Sequence, residues 1–379
     1  MRLGSAALVP ATVLAGHLRH DLLRVSRLDV ADEALGSAAS KCRDDDVVAL
    51  DDELSGSPLA IGEPEVLRLR HVFEGTRPRD ASGTVDPMGD LGYFGPGSVS
   101  WQVHREVTVL FGGARAVLMQ AAHPLVIAGA RESGFYERNP WRRLQRTLVL
   151  TYTITFGTRA EAQAAAERIN EVHARVSGVD EVTGLPYDGL DPELLLYVHA
   201  CLVDSALLFE QLTVGRLDEA GRQRFHEEQM LVAELVLVPR ASIPPTVAEL
   251  RAHLQRVFDS GITHVGDAAR KVAALFHDPP REAEWRPVLK GVSRLAFGTL
   301  PPELRTLYGV QVGGAHGIAM DATFAAIRAL RPLLPARYRF IAPYQEWLLR
   351  RQGKPVTGSV DRARRSAGIR LDRSKSIPG

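Results

Sequence analysis

From Ser98 onward the chain places its apolar residues with a helical period and keeps doing so for most of its length. In the segment from 159 to 177, Ala162, Ala166, Ile169, Val172 and Val176 recur at intervals of three and four, which makes one apolar helix face. Glu161, Arg168, Glu171 and Arg175 point away from that face. The same rhythm predicts helices over 191–213, 217–239, 245–258, 264–277, 281–298, 302–309, 316–331 and 335–350. Upstream, Gly95-Pro96-Gly97 leads into Ser98, a good N-cap. A helix follows through Gln120, with a break expected at Gly112-Gly113, and Pro124 kinks it or starts a new one. Asn139-Pro140 has the order of a cap followed by proline and opens another helix, reaching about Gly157. Its second half is rich in Thr, Val and Ile, so a strand is the competing reading there. Alternating strand patterns are otherwise almost absent. The expected fold class is all-α, a multi-helix single domain over 87–352.

The two ends differ from this texture. Residues 1–86 hold an acidic cluster, "DDDVVALDDE" (44–53), and a Pro/Gly/Ser-rich exit, "GTRPRDASGTVDP" (75–87), with little sustained periodicity. They read as a poorly ordered N-terminal extension, and Met88 is a plausible internal start. Residues 353–379 read as a basic, unstructured C-terminal tail.

Composition narrows the function classes. Of 379 residues, 45% are hydrophobic and 24% charged, which suits a folded protein with a sizeable core. The net charge of +1 supplies no basic field for nucleic acid. Two cysteines, Cys42 and Cys201, are too few for a disulfide framework and suit a reducing, cytoplasmic setting. The weaker alternative is export through the short apolar run near the N-terminus, which Pro10 interrupts. The most apolar helix, 194–212, carries His199, Asp204 and Glu210, so it reads as a core helix and no transmembrane segment is expected.

The chemistry rests on isolated histidines. There is no Walker A loop, no G-x-G-x-x-G after a strand, no G-x-S-x-G elbow and no H-E-x-x-H. None of the twelve histidines has a glutamate three residues before it, which removes the di-iron helix pairs. What remains is His123 in "QAAHPLV", His173 in "NEVHARV" and His199 in "LYVHACL". His173 falls inside the apolar stripe, where its ring nitrogens need partners: a metal is one, a backbone carbonyl another. An all-α protein with buried imidazoles and no carboxylate cluster is a reasonable haem host.

The segments "GPGSVSWQVHRE", "AVLMQAAHPLV", "RRLQRT" and "NEVHARVSG", in that order, resemble the MpaB and rubber oxygenase family, which includes the latex clearing proteins. The resemblance covers roughly 90–330. It implies an all-α fold with a globin-like core around a non-covalent b-type haem. The implied activity is cleavage of isoprenoid carbon–carbon double bonds with dioxygen. His173, in "His-Ala-Arg-Val-Ser", is similar to the family's axial iron ligand. Arg143 and Thr147 match its Arg-x-x-x-Thr pair, and their spacing puts both on one helix face. Two departures stand out. The arginine that follows the histidine motif is Ser177 here, and neither Glu132 nor Glu137 matches the family's acidic residue.

Each residue also has a plainer role. His199 is a second ligand or distal residue, or a core histidine bonded to a carbonyl. His123 caps a neighbouring turn with its ring. Arg143 meets a haem propionate, or bonds helix ends; Thr147 bonds its own helix backbone. The expected function is a haem-b oxygenase taking dioxygen and an apolar small-molecule alkene. The rival readings are a haem-binding or sensing protein without turnover, and a cofactor-free helical scaffold. Oligomeric state is not legible.

Overall fold

The structure is a computed structural model, and it describes residues 90–132, 140–278, 286–355 and 358–366. For 132, 140–143, 145 and 366 only the backbone is described. The extension 1–86 and Glu137 lie outside the described residues.

The described chain is all-α apart from one small hairpin. Ser98 caps α1 (Val99–His104) by accepting from the Trp101 amide at 3.1 Å. Glu228, far along the chain, takes the next two free amides, Val99 at 3.0 Å and Ser100 at 2.6 Å. The chain then breaks at Arg105-Glu106, runs through α2 (Val107–Leu110), and breaks again at Phe111 before α3 (Gly112–Ala121). The break expected at Gly112-Gly113 thus falls one residue early. Gly112 serves packing: a Cβ there would lie 2.8 Å from the Ser205 carbonyl oxygen. Beyond α3 the axis turns by 102° into α4 (Pro124–Glu132), so Pro124 starts a helix rather than kinking one.

α5 (Pro140–Phe156) is helical throughout, including the stretch that competes as a strand. Leu150 and Ile154, one turn apart, are buried, and the Thr153 hydroxyl donates back to the Val149 carbonyl at 2.7 Å. Tertiary burial of this face overrides the β propensity of its residues. Thr158 and Glu161 form a reciprocal capping box that opens α6 (Arg159–His173). A short antiparallel hairpin follows, β1 (Ser177–Val179) with β2 (Pro186–Asp188), pairing Gly178 with Tyr187. Asp180 holds its loop by accepting from the Thr183 amide and hydroxyl, both at 2.8 Å.

α7 (Pro192–Thr213), capped by Asp191, is the central helix. It is long and apolar enough to cross a membrane by length and composition, yet 67% of its most apolar window is buried inside the protein. α3 packs along it, and the Tyr197 hydroxyl donates to the Met119 carbonyl at 2.7 Å. Arg115 of α3 binds Asp204 (2.9 Å), Ser205 Oγ (2.8 Å) and the Thr299 carbonyl (2.9 Å). Asp204 also takes Arg251 at 2.9 Å. Around this core stand α8 (Glu219–Leu235), α9 (Val247–Asp259), α10 (Asp267–His277), α11 (Arg286–Gly298), α12 (Pro302–Leu307) and α13 (Ala315–Leu330).

The helix expected over 335–350 is split into α14 (Ala336–Arg339) and α15 (Ala342–Arg351). Phe340 is extended there because it bridges to Glu106. Glu106 is 1% exposed and its carboxylate gathers Arg331 (2.8 Å) and Arg339 (2.9 Å), tying the start of the described chain to its end. The tail read as unstructured contains α16 (Ser359–Ser366), docked through Arg364 on Glu161 at 2.7 Å. A second core forms where Trp101 packs against Phe156, Tyr344 and Trp347.

Candidate functional site

α5 and α6 are joined by only Gly157 and Thr158 and fold back on one another. At about 1.5 Å per residue, Arg143 stands roughly 21 Å along α5 from that turn, and His173 roughly 22 Å along α6. Thr147 stands about 15 Å from it. The hairpin therefore puts Arg143 and His173 at one level, at its open end, with Thr147 one turn nearer the closed end. Thr147 is exposed; the Arg143 side chain lies outside the described residues.

His173 is half-buried, the last residue of α6. The buried line on this helix runs through Ala162, Ala165, Ala166 and the half-buried Ile169. Continued by four residues, it meets His173, whereas Val172 is 39% exposed. The imidazole, not the neighbouring valine, continues the inward face. Its base is tightly packed. A Cβ on Gly189 would collide with the His173 carbonyl oxygen and come within 3.0 Å of the Val176 Cβ. A Cβ on Gly129 of α4 would sit 2.9 Å from Val176 Cγ1. The β2–α7 link and α4 thus close around the turn that follows His173.

His199 lies elsewhere, two turns into α7 and 5% exposed. Burial, helped by the neighbouring His226 of α8, pushes its pKa down to about 3, so it is uncharged at neutral pH. Its Nε2 has no hydrogen-bond partner among the described residues, so the carbonyl partner expected of a core histidine is not seen at that atom. His226 does have one: its Nε2 lies 2.7 Å from the Pro244 carbonyl. The ring of His123 caps no turn at Nδ1, which is buried without a partner among the described residues; it tilts against Tyr197 at 5.0 Å between centroids.

Two histidines that the motif search passed over matter here. His104 is held between Tyr152 and Phe225, and burial pushes its pKa down to about 4. His253 joins His123 and Tyr197 in lining a cleft of about 330 Å³. The signal for His253 was its place on the α9 face between Leu250 and Val257, which reads as an ordinary amphipathic helix. Among the described residues no three His, Cys, Asp or Glu side chains could together hold a metal ion.

A multi-helix, all-α chain with several buried histidines is the class of protein the fold and site define. The chain belongs to the family described as ER-bound oxygenase mpaB/B'/Rubber oxygenase, catalytic domain, which matches residues 101–329, from Trp101 of α1 into α13. The family is oxygenase-type. Two similar proteins are uncharacterised ones of Mycobacterium tuberculosis and Mycobacterium bovis. Each is 25% identical over 243 residues, which covers 62% of this chain and 93% of the relative. No solved structure matches.

Proposed function

We propose that the protein is a haem-b-dependent oxygenase of an apolar, isoprenoid-like alkene, with His173 as the axial ligand. The observation that carries the reading is the position of His173: it continues the buried line of α6 at the level of Arg143 on α5, inside the family match. The residues fit haem in kind, one imidazole on an apolar face with an arginine and a threonine on the adjoining helix. Haem, when bound, would supply the iron chemistry with dioxygen. His173 would hold that iron through a ring nitrogen and so set its electronics. Arg143 would pair with a propionate, and Thr147 would offer its hydroxyl on the same helix face. Cys201, buried with a free thiol, fits a reducing, cytoplasmic compartment.

The test is an absorption spectrum with a pyridine haemochrome assay, then oxygen uptake with a polyprenoid alkene. A Soret band with substrate-dependent uptake supports the proposal. Haem without uptake favours a carrier or sensor, and no haem after supplemented expression favours a cofactor-free scaffold.

A further inference from the structure

The cleft between α7 and α9 is separate from the residues of the haem reading: neither His173 nor Thr147 lines it. Its floor is His123, Tyr197 and His253, with Leu194 and Val257 beside them. His123 is 6% exposed and His253 9%, and each has a buried ring nitrogen with no hydrogen-bond partner among the described residues. The Tyr197 hydroxyl is already committed to the Met119 carbonyl, so the two imidazoles are the polar groups left over on the floor. Two orphaned imidazoles in one cleft are costly to a fold and call for a partner.

Charge selects the partner. Asp191 acts on His123, and Glu193 on His253, each favouring a proton; Arg256 opposes it at His253. Burial outweighs these, bringing His123 to about 4 and lowering His253. Both rings are therefore neutral at pH 7 and each offers one donor and one acceptor. Glu193 and Arg256 stand exposed on the rim with opposite charges, so the mouth favours neither sign. The volume, about 330 Å³, is at the small end of the roughly 300–1,000 Å³ of ligand pockets.

We infer that this cleft binds a small uncharged molecule with an apolar body and one hydroxyl or carbonyl head, held by His123 and His253. A hydroxyl both donates and accepts, which suits two neutral imidazoles. A carboxylate would meet neutral rings with two acidic neighbours, and an ammonium would find few fixed acceptors below the rim.

The test uses the full chain and three probes with one ring and different heads: cyclohexanol, cyclohexylammonium and cyclohexanecarboxylate. Binding is read by ligand-observed NMR at pH 7. Cyclohexanol should bind on the order of millimolar, at least tenfold tighter than either charged analogue. His123→Phe and His253→Phe should each weaken it about tenfold, and His253→Gln, which keeps a donor and an acceptor, should not. Thermal melts check that the variants fold; if a Phe variant does not, the ranking of the three heads and the Gln variant still decide. Equal or tighter binding of a charged analogue overturns the inference. So does the absence of cyclohexanol binding at 50-fold above about 1 mM, or unchanged binding in folded Phe variants.

Discussion

Glu106→Gln removes the carboxylate that, among the described residues, pairs with a buried cluster of arginines. Arg331 is 4% exposed and bonds Glu106 at 2.8 Å; Arg339 makes two contacts, at 2.9 and 3.1 Å. Arg105 stands 3.9 Å away. Burial lowers the pKa of Arg331 while Glu106 holds it up, so the pair is coupled. Glutamine keeps the shape and loses the charge, leaving Arg331 with a buried cation and Arg339 as a like-charged neighbour. Breaking a buried pair in this way costs roughly 3–5 kcal/mol. That is a large part of a typical 5–15 kcal/mol of stability. At about 2–4 °C per kcal/mol the melting temperature should fall by roughly 6–20 °C, read by circular dichroism. The double variant Glu106→Gln with Arg331→Met should recover most of the loss, because no uncompensated charge remains. A single variant melting within about 2 °C of the parent would refute the reasoning; so would a double variant melting below the single one.

Four further outcomes follow from the same geometry. His123 and His199 are held neutral, with pKa values of about 4 and about 3 against roughly 6.5 in the unfolded chain, so the unfolded state takes protons that the fold refuses. Stability is full above about pH 6.5 and falls as pH drops toward 4; at pH 5 the two together should cost about 4 kcal/mol, and equal urea midpoints at pH 7 and 5 would count against it. His173→Ala should abolish or grossly alter the Soret band while His199→Ala keeps it recognisable; the reverse ranking moves the axial ligand to α7. Gly189→Ala should destabilise by about 1–3 kcal/mol, since its methyl collides with the His173 carbonyl; an unchanged melt contradicts that packing. A chain started at Met88, ahead of the family match at 101, should stay soluble and keep its melting temperature; insolubility would show that 1–87 contributes to the core.

Helix starts were the most legible part of the fold, because they depend on neighbours in sequence. Ser98 acts locally and could be read as a cap. The interruptions were not legible. Arg105-Glu106 and Phe340 leave the helical path because they bridge to each other, and Glu106 is held there by arginines more than 200 residues away. Nothing in either local window carries that information. The hairpin of β1 and β2 was missed for a different reason. Three residues per strand are too few to show alternation, and all of β1 is exposed, so there was no buried face to create a pattern.

The same distinction between local and distant causes governs the site. The α6 stripe was legible, but its apolar count included Val172, which the fold leaves 39% exposed. A stripe spaced three and four apart continues from Ile169 through either 172 or 173, and only the packing of α6 on α5 chooses between them. It chooses the imidazole. That choice turns His173 from an irregularity in an apolar face into the residue that ends the face, at the level where α5 carries Arg143. The cleft between α7 and α9 was beyond sequence reading altogether. His123 and His253 are 130 residues apart, on the 102° turn after α3 and on α9, and come together because both pack against α7 beside Tyr197. A histidine on an amphipathic face looks like any other core position until a second histidine proves to line the same cleft and neither buried nitrogen has a partner among the described residues. Partnerless polar atoms are a property of the assembled fold, which is why they point to a ligand here when motif and spacing did not.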